Sequence, residues 1–353
     1  MPEFRKIGVW QTAFLGDAVL TLPLLRALNL AYPKAELHFF VRGGLEGLFA
    51  AQQGLASVTG FYKRGGQKSL AAAWRLGREI SNQDFDLWIS PHASLRSAVV
   101  ALATGAPMRI GYRAPLYNRV AYTHTVNRCF RRFEEIERLL RLLRPLDLEP
   151  AQGDFPWPEL TLPPDAHSRA AELLQGLRRP LLGLHPGSTW PTKQWPVEYF
   201  AEVASHAARA GAGVAVFAGP GEEADATRVV ELADAPQGSV VNLAGQPNLP
   251  ALAACIRRVD AYLTNDSGPM HLAWMQHVPT LALFGPTVRD LGFFPRGETA
   301  EVLEMTGMTC RPCGLHGPRR CPRGHHECMR LLKPEQVWEH LAPMLGFKAQ
   351  PAS

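Results

Sequence analysis

No stretch of this chain reaches the roughly 18 uninterrupted apolar residues that span a bilayer. The most apolar run, 18–30, is broken by Pro23, Arg26 and Asn29. The opening MPEFRKIGVWQ has neither the apolar core nor the cleavage site of a secretory signal, and it runs straight into a strand-like segment. A cytoplasmic protein is expected. No short internal repeat or low-complexity tract occurs. The first strand-to-helix turn, QTAFLGD, lacks the Gly-x-Gly-x-x-Gly pyrophosphate fingerprint, which argues against a dinucleotide-dependent oxidoreductase. A Walker A spacing is absent too. No nucleic-acid-binding motif is visible, so a nucleic-acid partner is not expected.

What is there suits a packed globular protein. The 353 residues suggest two domains at roughly 100–200 residues each. Hydrophobic residues make up 46% and charged residues 20%, an ordinary balance for a buried core. The net charge of +5 suits an anionic partner or simply a soluble surface. Arg128, Arg131, Arg132, Arg138, Arg141 and Arg144 cluster, offset by Glu134, Glu135 and Glu137. An anionic acceptor docks there, or the helix is merely solvated.

Short β-rich runs alternate with longer helical patterns. The strands read 7–11, 37–41, 57–61, 85–90 and 108–111, then 181–185, 213–218, 239–242, 261–265 and 280–284. Helices are expected near 18–30, 45–52, 68–81 and 94–104, then 197–210, 222–233, 248–257 and 269–276. That alternation implies right-handed βαβ units and parallel sheets. The stretch 145–164 carries six prolines and reads as a domain boundary. The expectation is an α/β protein of two Rossmann-like domains facing each other across a cleft. The first covers 1–160 and the second 161–333. A last helix and tail, 334–353, would pack back toward the first.

Ligands in such sheets bind at the carboxyl ends of strands, so the loops there should hold the chemistry. Three are unusual. In Gln11–Asp17, the pair Gly16-Asp17 opens a helix. Asp17 is either a plain cap, favoured by the free N–H groups and the dipole, or a general base for a glycosyl acceptor hydroxyl. In HPGSTWPTKQWP, residues 185–196, Gly187, Ser188, Thr189, Thr192 and Lys193 supply the parts of a phosphate cradle. Lys193 would stabilise a leaving diphosphate, or it is a surface lysine beside two tryptophans. In TNDSGPMHL, residues 264–272, Asp266, Ser267 and Gly268 precede a helix and suit an anion. Asp266 alone also reads as a helix cap. His271, one turn in, faces a ligand or is a satisfied structural residue. A fourth loop, GPGEE, offers Glu222 or Glu223 to ribose hydroxyls, or these acids complement a helix dipole.

Asp84-Phe85-Asp86 looks like a metal-holding Asp-x-Asp, but it precedes its strand and so lies at the amino end of the sheet. No catalytic metal and no cofactor are expected. Cys310, Cys313, Cys321 and Cys328 form C-x2-C-x7-C-x6-C with His316, His325 and His326 interleaved. Such spacing binds a structural zinc or leaves reduced thiols in a loop.

QTAFLGDAVLTLPLLRAL, HPGSTWPTKQWP and TNDSGPMHLAWMQHVPTLALFGPT together resemble the ADP-heptose:lipopolysaccharide heptosyltransferases of glycosyltransferase family 9. The likeness runs from Ile7 to about Val337, and the Cys-rich tail resembles heptosyltransferase II-type members. The resemblance implies a GT-B fold and a metal-independent, inverting displacement from ADP-heptose onto the inner core of lipopolysaccharide. Such an enzyme would work peripherally at the cytoplasmic face of the inner membrane. It implies Asp17 as catalytic base and Lys193 as a contact to the donor phosphates. Gly16, Ser188, Thr189, Thr192, Asp266, Ser267, Gly268 and His271 join the donor site. Glu222 matches a ribose-contacting acid loosely, with Glu223 its rival. Ser267 stands where some members have Thr, which keeps the hydroxyl. A different glycan or a protein remains open as acceptor. With the base and the lysine on separate domains, domain closure would assemble the site and exclude water.

Overall fold

A computed structural model describes residues 3–62, 69–151 and 153–348. The chain divides into two units, Met1–Thr161 and Leu162–Ser353. The first holds strands β1 (Lys6–Gln11), β2 (Glu36–Arg42), β3 (Ser57–Phe61), β4 (Leu87–Ser90), β5 (Met108–Tyr112) and β6 (His124–Val126). Its sheet runs β3-β2-β1-β4-β5-β6, parallel throughout. The second holds β7 (Leu181–His185), β8 (Gly213–Val216), β9 (Val240–Asn242), β10 (Ala261–Asn265), β11 (Thr280–Phe284) and β12 (Ala300–Glu304). Its order, β12-β11-β10-β7-β8-β9, repeats the same winding. Both sheets therefore have the doubly wound order, with topological switch points at β1/β4 and at β7/β10.

Burial on both faces explains why the central strands read as apolar runs. Every residue of β7, β10 and β11 is buried. In the first unit, Trp10 of β1 lies between Phe40 of β2 and Trp88 of β4, ring centroids 5.7 and 5.9 Å away. The Trp10 indole N–H donates to Ser97 Oγ at 3.1 Å. This stack fixes the carboxyl end of β1, where Asp17 follows. In the second unit, Leu182, Leu184, Val214, Leu263 and Leu281 meet Phe200 and Trp195 in one core.

Several elements differ from the sequence reading. The expected helix 18–30 is two, Leu15–Leu20 and Leu22–Ala31. They part at Thr21, whose hydroxyl donates to the Asp17 carbonyl at 2.8 Å, with Pro23 in the first turn of the second helix. The helix expected over 68–81 is described as Leu70–Ser81, and Lys68 lies outside the described residues. Strands β6 and β12 were not foreseen. Each is an outer strand of its sheet, the first only three residues long and the second with no fully buried residue.

The last helix, Pro334–Met344, was expected to pack back toward the first domain. Its buried Val337 and Leu341, with Leu345 just beyond, join the second unit's core, against the helix Val197–Arg209. Their spacing of four puts them on one face. Among the described residues, no helix is long and apolar enough to cross a membrane.

Candidate active-site residues

In the first unit, β1 ends at Gln11 and the helix Leu15–Leu20 begins four residues on. Gly16 is buried in its first turn. Asp17 stands one residue further, past the cap position, and its Oδ2 accepts the Phe14 N–H at 3.1 Å. Asp17 keeps partial exposure while protein crowds its carboxyl. Burial, helped by the Glu135 charge, raises its pKa to about 6, against the pull of the Phe14 amide and Arg128. An acid poised there takes a proton at neutral pH far better than an ordinary surface aspartate.

Across the switch point, Thr12 Oγ1 and Ser97 Oγ lie 3.1 and 3.2 Å from His92 Nδ1, in the loop after β4. Asp86, by contrast, holds the amides of Arg5 and Lys6 at 2.7 and 2.9 Å. These are the entry to β1, so the Asp-x-Asp pair does lie at the amino end of the sheet.

In the second unit, the loop after β7 is pinned by a residue the sequence reading did not single out. Asn265, the last residue of β10, accepts the Trp195 N–H at 3.0 Å and donates to the Pro186 carbonyl at 2.7 Å. The Trp195 indole N–H donates to the Leu332 carbonyl at 2.9 Å. Lys193 is thereby held in a buried position, its Nζ 2.6 Å from Asp266 Oδ2. Thr287, also unforeseen, donates to that same oxygen at 2.6 Å. One of the three Lys193 ammonium donors is committed to Asp266.

His271 is buried within electrostatic reach of both partners. The Trp274 indole, a donor only, points at His271 Nδ1 from 3.0 Å. Burial drives the pKa down to about 4, so the ring is neutral at pH 7 with its proton on Nε2.

Glu222 turns inward. Its Oε2 lies 3.2 Å from His185 Nε2 and accepts the Gly219 N–H at 3.1 Å. Burial pushes this carboxyl up, but the His185 hydrogen bond and charge outweigh it and the net shift is downward. Burial keeps Tyr262 protonated, and its hydroxyl lies 3.3 Å from His185 Nδ1. A Cβ at Gly187 would fall 2.1 Å from Glu222 Oε2, so a side chain there would displace this carboxylate. Glu223 instead accepts the exposed Gly221 amide at 2.8 Å.

The other residues divide. Ser188 is buried, with Oγ 3.4 Å from the Trp190 N–H that it accepts, and Thr189 is exposed. Thr192 gives its hydroxyl to the Pro318 carbonyl at 2.5 Å. Ser267 stands at the N-cap position of the helix Gly268–Met275 without a side-chain cap bond, and both Ser267 and Gly268 stay partly open.

The cysteine-rich segment is held without sulfur bridges. Its thiols are free. Cys310 Sγ lies 4.0 Å from His325 Nε2, and the Cys313 thiol donates to the Cys310 carbonyl. No group of three or more His, Cys, Asp or Glu among the described residues is placed to hold a metal ion. Arg311 anchors the segment instead, donating to Glu304 Oε2 and to the Phe284 and Thr287 carbonyls at 2.6, 3.2 and 2.6 Å. His326 Nε2 adds a bond to the Thr192 carbonyl at 2.8 Å.

Comparison with known proteins bears on the family and the fold. The family model described as glycosyltransferase family 9 (heptosyltransferase) matches residues 73–313. The lipopolysaccharide heptosyltransferase 2 of Salmonella typhimurium is 26% identical over 97% of this chain and 99% of its own length. The lipooligosaccharide heptosyltransferase 2 of Campylobacter jejuni is 33% identical, over 47% of this chain and 51% of that protein. The glycosyl transferase family 9 structure from Veillonella parvula superposes with a TM-score of 0.86 at 25% identity, covering 98% of each chain. With two identically wound sheets and a family match over more than half its residues, the chain belongs to glycosyltransferase family 9, the heptosyltransferases.

Proposed function

We propose that this protein transfers L-glycero-D-manno-heptose from ADP-heptose to the inner core of lipopolysaccharide, with Asp17 as the general base. The observation that carries the reading is the Asp17 carboxyl at the β1 switch point, with its pKa raised to about 6. The acceptor oxygen attacks the anomeric carbon, and its proton passes to Asp17. The bond from that carbon to the β-phosphate oxygen breaks, and ADP leaves with the electron pair. The charge that grows on the leaving diphosphate falls to Lys193.

On this reading Asp266 orients Lys193 rather than touching the donor, since its Oδ2 is already shared by Lys193 and Thr287. His271 offers a neutral Nε2–H. Ser267 and Gly268 offer the open N-terminus of an eight-residue helix, and Ser188, Thr189 and Gly187 line the approach to the phosphates. Glu222, set by His185 and Gly187, is the ribose acid in preference to Glu223. The acceptor is an inner-core lipopolysaccharide, so the enzyme works as a peripheral protein at the cytoplasmic face of the inner membrane.

Calorimetric titration with ADP-heptose tests the division of labour. Lys193→Met should weaken donor binding by about 10-fold or more, as the loss of a charge-assisted contact does. Asp17→Asn should bind the donor as the wild type does and fail in turnover. Wild-type donor affinity in Lys193→Met would overturn the donor assignment.

A further inference from the structure

Between β6 and the helix Glu135–Leu140, the first unit buries an ion network that no role above uses. The Arg128 guanidinium lies over the Tyr112 and Phe130 rings, 5.1 and 4.3 Å from their centroids. Its Nη2 donates to Glu135 Oε1 at 2.5 Å. Glu135 Oε2 accepts from Arg138 Nη1 at 2.9 Å, and Arg138 Nη2 donates to the Phe130 carbonyl at 2.7 Å. Side-chain exposure falls from 25% at Arg128 to 2% at Glu135 and 0% at Arg138. Buried ion pairs of this kind add little stability over apolar packing, so stability alone is a weak reason to keep one.

The helix Leu15–Leu20 packs against Glu135–Leu140. Asp17 lies within electrostatic reach of both Glu135 and Arg128. Other charged groups stand nearby, among them Arg42, whose guanidinium lies 5.3 Å from the centroid of the Phe14 ring. Tyr112 of β5 is kept neutral by burial, and Arg26, on the adjoining helix, is bound to Glu159 at 2.6 Å. Two charges of opposite sign, each fixed by the other, therefore act on one carboxylate.

We propose that Glu135 and Arg128 are positioning residues that set the charge balance at Asp17, and so the pH at which it can accept the acceptor's proton. This rests on Asp17 being the base. Neither residue needs to touch substrate. Glu135 opposes ionisation of Asp17, Arg128 favours it, and Arg138 holds Glu135 in place.

The test is the acidic limb of the kcat/KM–pH profile for heptose transfer. Glu135→Gln removes the opposing charge and should move the limb to lower pH. Arg128→Gln removes the favouring one and should move it to higher pH, each by about half a unit or more. Arg128→Lys keeps the charge and should restore the wild-type limb. A purely structural role would lower kcat without moving the limb, or move both in one direction. Either result in variants that bind ADP normally would overturn the proposal. Should Glu135→Gln fail to fold, the contrast between Arg128→Gln and Arg128→Lys carries the same test. Full activity in Asp17→Asn would sink the assignment of the base. An inactive Asp17→Asn beside unmoved limbs would sink only this inference.

Discussion

At the scale of single residues, the account turns on Asp17. Its carboxyl is held more readily neutral in the folded chain than in the unfolded one, from the ordinary 3.8 to about 6. A raised folded value means that ionisation works against the fold. The stability associated with the neutral form is complete below about pH 4 and is lost as pH rises through about 6. Asp17→Asn should therefore be more stable than wild type at neutral pH. After discounting for solvent screening the gain is on the order of 1 kcal/mol, and it should vanish below about pH 4. Thermal melts of both proteins across that range check the sign. A variant that is more stable but inactive is what a destabilised functional site predicts. Gly187 offers a second residue-level test. Gly187→Ala would drive Glu222 off His185 and should raise the KM for ADP-heptose by about 10-fold, with a smaller change in kcat. Saturation kinetics in the donor read that split.

Residues were legible in the sequence in proportion to how local their setting is. Asp17 and Lys193 stood out in the sequence because each sits in an unusual loop after an apolar strand, although each also had an ordinary reading, a helix cap for Asp17 and a surface lysine for Lys193. Glu135 and Arg138 did not. A run of alternating arginines and glutamates reads as a solvated face, and only the turn of the helix Glu135–Leu140 toward Tyr112 puts Arg138 at 0% exposure. Thr287 and Asn265 were missed for a related reason. Their partners, Asp266, Trp195 and Pro186, are 21 to 79 residues away along the chain.

At the scale of elements, the loop 185–196 owes its shape to Asn265. Asn265→Ala leaves the buried Trp195 N–H without its acceptor and the Pro186 carbonyl without its donor. The expected cost is about 1–3 kcal/mol, with a drop in ADP affinity, and denaturant melts paired with ADP titration would show both. Apolar strands and amphipathic helices were legible because the central strands of both sheets are buried on both faces. The outer strands β6 and β12 were not, since short or half-exposed strands carry little periodicity. Thr21 split one expected helix into two through a hydroxyl bond to the Asp17 carbonyl that no apolar pattern encodes.

At the scale of the whole molecule, two sheets of identical order place both groups of candidate residues at switch points. The repeated βαβ rhythm and the proline-rich stretch 145–164 made that architecture readable. Leu341→Ala should cost about 2–5 kcal/mol in the second unit's core, read as a lower denaturation midpoint for that unit.

The central claim is most directly tested by mixing the purified protein with ADP-heptose and either Kdo2-lipid A or its mono-heptosylated form, and weighing the products by mass spectrometry. The account predicts one heptose increment on one of the two acceptors and none with Asp17→Ala. Donor binding without transfer to either would contradict the acceptor, and no donor binding at all would contradict the claim itself.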